Sequence, residues 1–294
     1  MRQFAIIEAP SILGLRPTGV ELLPEALKAA GLVEKLNAEY VGRVSPPKYN
    51  PKRDQETLML NPDAIRDYSE QLANAVTGVL RAKRFPLVLG GDCSITIGNL
   101  LALRRMGRYG LFFVDGHADF YQPEASTTGE VADMDLAILS GRGPEILSNI
   151  DGLRPLVRDE DIVLFGNRDA EQAAGYGSQD VRKTSINIFD FDRIQEIGIA
   201  NAASRGIRNI VSSGTQGFWI HLDVDVLNDN IMPAVDYRLS GGIGLNDLSK
   251  LLQILVRTDK AVGMDVTIFN PKLDLDGSIA HRLVSSLAAG LSFP

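Results

Sequence analysis

Apolar runs of strand length recur along the chain at FAIIEA (4–9), FPLVL (85–89), GLFFVD (110–115), DIVLFG (161–166), GFWIHLDVD (217–225) and AVGMDVTIF (261–269). They are nearly continuous rather than alternating, the pattern of strands covered on both faces. Between them the apolar positions shift to spacings of three and four, the period of an amphipathic helix. The clearest such stretch is 63–84, where Ile65, Tyr68, Leu72, Val76 and Val79 fall on one stripe, with Asn61 placed as a cap and Pro62 at the first helical position. Further helical patterns cover 22–30, 95–106, 246–257 and 277–291. Strands and helices taking turns predict a three-layer α/β/α sandwich around a mainly parallel sheet. The turn-rich segments GRVSPPKYNPKRD (42–54) and YQPEASTTGE (121–130) are too short for interdomain linkers, so one domain over residues 1–294 is expected.

Composition narrows the function classes. With 294 residues, 45% of them hydrophobic, the chain can bury a large core. A net charge of −7 disfavours nucleic acid and anionic lipid as partners. No run of 18 apolar residues occurs, and the opening MRQFAIIEAPS lacks the apolar stretch of a signal peptide, so no membrane contact and a cytoplasmic location are expected. Cys93 is the sole cysteine, so it cannot join an internal disulfide framework; it is either a small buried apolar residue or a chemically employed thiol.

In a parallel sheet, chemistry gathers beyond the carboxyl ends of the strands. Three strand ends carry acids: GGDCS (90–94), DGHAD (115–119) and HLDVDVLND (221–229). In DGHAD, Asp115, His117 and Asp119 are two residues apart, so a locally extended chain would send all three side chains to one side, and Asp223 and Asp225 repeat the spacing. Four converging carboxylates repel one another strongly in a cleft of reduced dielectric, so they need cations or protons. Four carboxylates and a histidine suit a pair of divalent ions.

The motifs GGDCS, DGHAD, HLDVDVLND…MPA…GG (221–242) and GMDVTIFNP (263–271), in that order, with the opening APSILGLRPTGVELLPEALKAAGL (9–32), resemble the arginase/agmatinase/formimidoylglutamase superfamily of binuclear manganese ureohydrolases. The resemblance covers nearly the whole chain. It implies an arginase-like fold, two divalent ions, most often manganese, a small-molecule substrate and a homo-oligomer, trimeric or hexameric. The family's first metal is held by a histidine in GGDHS, by the outer aspartates of DAHxD and by the first aspartate of a later DxD, positions filled here by Cys93, Asp115, Asp119 and Asp223. The second takes the middle histidine of DAHxD, both aspartates of DxD and a share of the first DAHxD aspartate, here His117, Asp223, Asp225 and Asp115. The reaction implied is hydrolysis of a C–N bond at an amidine-like carbon by a hydroxide bridging the metals. Asp119 resembles the aspartate that accepts a hydrogen bond from that hydroxide.

The departures from the family pattern matter as much. The family's SGNxHGMPLA aligns with TGEVADMDLA (128–137), which puts Ala132 where several members carry a proton-shuttling histidine. The glutamate that receives a guanidinium falls at Ile268, and the positions that read an amino-acid head group become Tyr121, Thr128 and Glu130. L-Arginine is therefore not the expected substrate. NRDAE (167–171) resembles the loop whose acid holds a substrate amine, which marks Glu171 for substrate binding. His221, two residues before Asp223, is a candidate donor or proton carrier behind the metals, and His281 lies in a helical pattern as a structural residue. A thiolate at Cys93 leaves the cluster more negative and softer than a histidine does, so zinc or iron is the alternative occupant of the first site. The competing expectation is a non-catalytic or weakly active member of the fold that uses a partly filled metal site for binding or assembly.

Overall fold

Each apolar run of the sequence becomes a strand of one sheet in the computed structural model, which describes residues 3–292. The strands are β1 (Phe4–Ala9), β2 (Glu39–Arg43), β3 (Phe85–Gly90), β4 (Gly110–Val114), β5 (Ile162–Phe165), β6 (Asn187–Phe189), β7 (Phe218–Asp223) and β8 (Ala261–Thr267). All neighbours pair in parallel, in the order β2-β1-β3-β8-β7-β4-β5-β6. The helices are α1 (Leu23–Ala29), α2 (Leu32–Leu36), α3 (Pro62–Arg81), α4 (Ile95–Met106), α5 (Asp135–Leu139), α6 (Glu145–Ser148), α7 (Ala170–Gly175), α8 (Phe191–Ile197), α9 (Ile199–Ser212), α10 (Leu245–Val256) and α11 (Ser278–Leu291). None of them is long and apolar enough to cross a membrane.

Alternation along the strands divides the interior in two. Phe4, Ile6, Leu87, Leu89, Phe112, Val114, Ile220 and Leu222 face the layer that holds α1, α9, α10 and α11. Ala5, Ile7, Val88, Leu111, Phe113 and Trp219 face the layer that holds α3 and α4. This is the expected three-layer sandwich. From β3 the chain leaps through α4 to β4, leaving a gap that β7 and β8 later fill, so β3, β8, β7 and β4 are adjacent at the centre. Their carboxyl ends open side by side, where such sheets bind ligands.

Several local expectations are corrected. Asn61 stands at the cap position of α3 as expected, but its side chain makes no capping hydrogen bond: its backbone is left-handed at φ 50°, its Oδ1 accepts from the Asn50 N–H at 2.7 Å and its Nδ2 donates to the Leu13 carbonyl at 2.8 Å. The residue ties two loops together instead. The helix stops at Arg81, short of 84, and the pattern at 22–30 divides into a 3₁₀ turn and α1. The strand read over 217–225 ends at Asp223, and Val224–Val226 form a 3₁₀ turn. The edge strands β2 and β6 are polar or very short, and neither they nor α9 stood out in the sequence pattern.

The loop after β1 is clamped onto the turn after β3. Asp92, fully buried, accepts from Ser11 Oγ at 2.9 Å, from the Gly14 N–H at 3.3 Å and from the Ser94 N–H at 2.9 Å. The backbones come so close that a Cβ on Gly91 would lie 1.8 Å from the Ser11 carbonyl oxygen. Gly91→Ala is therefore expected to cost about 2 kcal/mol or more of unfolding free energy, since the clash is with backbone rather than a movable side chain. Chemical denaturation of the variant beside the parent protein checks it; an unchanged midpoint and slope would contradict this close approach.

Candidate metal centre

Turns, not extended chain, bring the acids together. Asp115 follows β4 directly, and its Oδ1 accepts the His117 N–H at 2.7 Å. Asp119 has left-handed backbone at φ 43°, so the even spacing of DGHAD is not what aligns its side chains. Asp223 ends β7, and its Oδ1 accepts the Asp225 N–H at 2.7 Å, closing the turn that swings Asp225 toward His117. His117 Nδ1 lies 2.7 Å from Asp225 Oδ2 and 3.8 Å from Asp115 Oδ1. Cys93 Sγ donates to Asp223 Oδ2 at 3.0 Å and lies 3.3 Å from Thr267 Oγ1. Ile268, after β8, completes the rim with left-handed backbone at φ 70°, and its N–H donates to the Gly91 carbonyl at 2.9 Å.

A cavity of about 150 Å³ opens over these strand ends. Cys93, His117, Asp119, Asp223 and Asp225 line it, with Tyr121, Thr128, Glu130 and Ile268. Asp115 is fully buried beneath, its Oδ2 without a hydrogen-bond partner. Glu171 is not part of this cleft: it is exposed on α7 and borders a separate recess with Arg182 and Arg193, whereas Gln172 of the same helix and Tyr176 just after it reach the cleft. His221 does not line the cleft either; it is fully buried behind it, with its Nε2 3.7 Å from Asp115 Oδ2. His281 is exposed on α11 and does not border the cleft.

Four residues that the sequence reading did not single out complete the site. Arg168 Nη2 donates to the Asp225 carbonyl at 2.8 Å and the Leu239 carbonyl at 3.1 Å, underpinning the turn from below. Asp169 Oδ2 accepts the Ala118 N–H at 3.1 Å and holds the DGHAD loop. Asp265 of β8 accepts from Asn99 and Trp219 and faces His221. Asp135, at the start of α5, is fully buried with neither oxygen hydrogen-bonded. Asp135 and Asp265 lie within TGEVADMDLA and GMDVTIFNP, so a charged residue inside an otherwise apolar element was the available signal.

Burial and crowding govern the electrostatics. Burial, with Asp225 adding to it, raises Asp115 to about 6. Burial and neighbouring carboxylates push Asp119, Asp223 and Asp135 well above the usual carboxylate range. Burial, then Asp223, pushes the Cys93 thiol up. Burial opposes the charge on His117, but Asp225 and Asp115 outweigh it and raise the imidazole to about 9. Asp225 goes the other way: burial is overcome by His117, and its carboxyl is held below the usual range. Such a set fits divalent cations. The donor atoms of Cys93, Asp115, His221 and Asp223 lie within 4.8 Å of one another, as do those of Asp115, His117 and Asp225, and Asp115 Oδ2 and His221 Nε2 lack any hydrogen-bond partner.

Comparison with known proteins agrees with this geometry. The model of the arginase family matches residues 2–292. Arginase from Staphylococcus aureus strain COL is 31% identical over 288 residues, 95% of this chain and 94% of that protein. Arginase from Brevibacillus brevis is 30% identical over 297 residues, 98% of this chain and 97% of that protein. The structure of arginase from Bacillus caldovelox superposes with a TM-score of 0.88 at 27% identity, covering 100% of this chain and 99% of that one.

The shifted groups fix the sign of the pH dependence of the metal-free protein. An acid held above its ordinary value binds more protons folded than unfolded, so the stability contribution of Asp115 falls as pH rises from the usual carboxylate range through about 6. The raised imidazole of His117 contributes stability below its ordinary value, and this is lost as pH rises through about 9. Asp225 acts oppositely, but only as pH falls below the usual carboxylate range. Metal-free protein is thus expected to melt at progressively lower temperature from about pH 5 to about pH 9, and a divalent cation that binds the folded state is expected to restore most at the alkaline end. Calorimetry across that range, with and without metal, decides; a melting temperature that climbs with pH in the absence of metal contradicts the assignment.

Proposed function

The chain belongs to the arginase family, and on that premise we propose that it is a binuclear metal-dependent hydrolase cleaving a C–N bond of a small amidino-type molecule other than L-arginine. The observation that carries the reading is the gathering of Cys93, Asp115, His117, Asp119, Asp223 and Asp225 at the ends of three central strands, β3, β4 and β7, beside one cleft. Carboxylates so crowded and buried carry a standing electrostatic cost that divalent ions relieve. On the family pattern, Cys93, Asp115, Asp119 and Asp223 would hold one ion, and Asp115, His117, Asp223 and Asp225 the other. Bound there, the ions supply Lewis acidity and a water acidic enough to attack at neutral pH.

The protein's own groups do the rest. Asp119 lines the cleft, where its carboxylate would orient the attacking water by accepting its hydrogen bond. Arg168 fixes the turn that aims Asp225, and Asp169 fixes the loop that aims His117 and Asp119. Tyr121 and Thr128 line the same cleft. Glu130 is almost fully buried and accepts from the Tyr237 hydroxyl at 2.7 Å, with Arg16 Nε 3.4 Å away, but burial outweighs both and raises its carboxyl above the ordinary value. The name shared by the relatives favours arginine as substrate. Ile268 and Ala132 favour another molecule: the first puts an apolar wall where the family presents a carboxylate to the guanidinium, and the second removes a proton shuttle. A substrate carrying a better leaving group needs neither.

Metal-loaded protein is expected to release urea, ammonia or amine from at least one member of a panel of guanidino, hydroxyguanidino, formimidoyl and amide compounds. Arginine and agmatine are expected to be turned over about 100-fold more slowly than the best of these, a difference of the size that one missing charged hydrogen bond produces. Ile268→Glu should raise arginine turnover by about tenfold or more. Fast arginine hydrolysis by the parent protein would remove the exclusion of arginine, and silence across the panel with metal bound would remove the hydrolase reading itself.

A further inference from the structure

The residues behind the cleft form a second ligand-oriented layer. His221 projects from β7 into the layer of α3 and α4, on the same face as Trp219, and its ring stacks on Phe113 with centroids 4.4 Å apart. Its Nδ1 lies 2.6 Å from Asp265 Oδ2 and 3.0 Å from Thr96 Oγ1. Asp265 Oδ1 takes hydrogen bonds from Asn99 Nδ2 and Trp219 Nε1, which leaves Oδ2 to pair with His221 Nδ1 as the acceptor of its N–H. That fixes the ring and its tautomer. The opposite nitrogen, Nε2, is fully buried, has no hydrogen-bond partner and stands 3.7 Å from Asp115 Oδ2, which has none either. A carboxylate that grips one imidazole nitrogen while the other faces anionic donors is the arrangement that prepares a histidine for a metal.

We propose that His221 replaces the imidazole that position 93 lacks, so that the first ion is held by Cys93 Sγ, His221 Nε2, Asp115 and Asp223 and is zinc rather than manganese. The proposal rests on the reading of the cleft as a metal centre and changes which residues and which ion make up half of it. Its donor atoms all lie within 4.8 Å of one another, and all four residues are buried. Thiolate and imidazole are donors that suit zinc, whereas manganese prefers oxygen. The two imidazoles come from different places, one from the turn after β3 in the family pattern and one from β7 here, yet they serve the same ion. Asp135, buried with both oxygens unpartnered and in the electrostatic field of His221, adds negative charge against the same position. The Asp115, His117 and Asp225 set is untouched and stays an imidazole and oxygen site suited to manganese.

X-ray absorption at the zinc edge on wild-type protein loaded with one equivalent needs no variant. It is expected to show one sulfur at about 2.3 Å and imidazole nitrogen at about 2.0 Å. Cobalt(II) in place of zinc should give a thiolate charge-transfer band in the near ultraviolet that saturates at one equivalent and is absent in Cys93→Ser. Asp265→Asn should keep that band but weaken zinc binding by about 10–100-fold, the effect of releasing the far nitrogen of a ligating histidine. His221→Gln should weaken it at least as much, and Cys93→His should lower the preference for zinc over manganese by about tenfold or more. Zinc bound without sulfur, or bound as tightly by His221→Gln as by the parent, overturns the proposal and leaves the hydrolase reading standing. Binding of no divalent ion at all overturns both.

Discussion

Repulsion among buried carboxylates is the constraint on which the rest of this structure turns. Asp115, Asp119, Asp135, Asp223 and Asp225 are all buried at one edge of the sheet, and most are pushed toward their protonated forms. A fold can hold such a set only if everything around it is stiff, because any slack would let the acids turn to water. The stiffness is visible in the backbone hydrogen bonds that Asp115, Asp223 and Asp169 each accept, in the Arg168 guanidinium lodged among carbonyl oxygens, and in the Asp92 clamp on the loop after β1.

That stiffness is built from the topology. Four adjacent central strands deliver their ends to one place, and the gap left between β3 and β4 is closed only when β7 and β8 arrive late in the chain. The site therefore joins residues far apart in the chain, from Leu15 to Ile268. Function here is a property of the finished sheet rather than of any one motif.

The central strands and the acidic strand ends were legible because burial on both faces writes a continuous apolar run, and a charge at the end of such a run stands out. The edge strand β2 was not, since Glu39–Arg43 faces solvent and carries no such run, and β6 is three residues long. Asn61 has the residue type of a cap but spends both ends of its amide on neighbouring loops, a tertiary choice invisible to local pattern. Residue spacing could not show that turns rather than extended chain align Asp115, Asp119 and Asp225, nor that α7 and the residue after it offer Gln172 and Tyr176 to the cleft while Glu171 borders another recess. His221 was marked for its distance from Asp223, but its partner Asp265 lies on a neighbouring strand and becomes its partner only through sheet register.

The wall residue Ile268 carries one more consequence. A β-branched side chain in left-handed backbone costs about 1–2 kcal/mol that glycine or asparagine at the same place would not, yet the cleft keeps an isoleucine there. Position 268 is thus pulled in two directions: adaptation toward heat or denaturant resistance favours giving up the branched side chain, while adaptation of what the cleft admits favours keeping bulk there. Exchange of Ile268 for glycine or asparagine would therefore relax the backbone in the same step that enlarges the cavity.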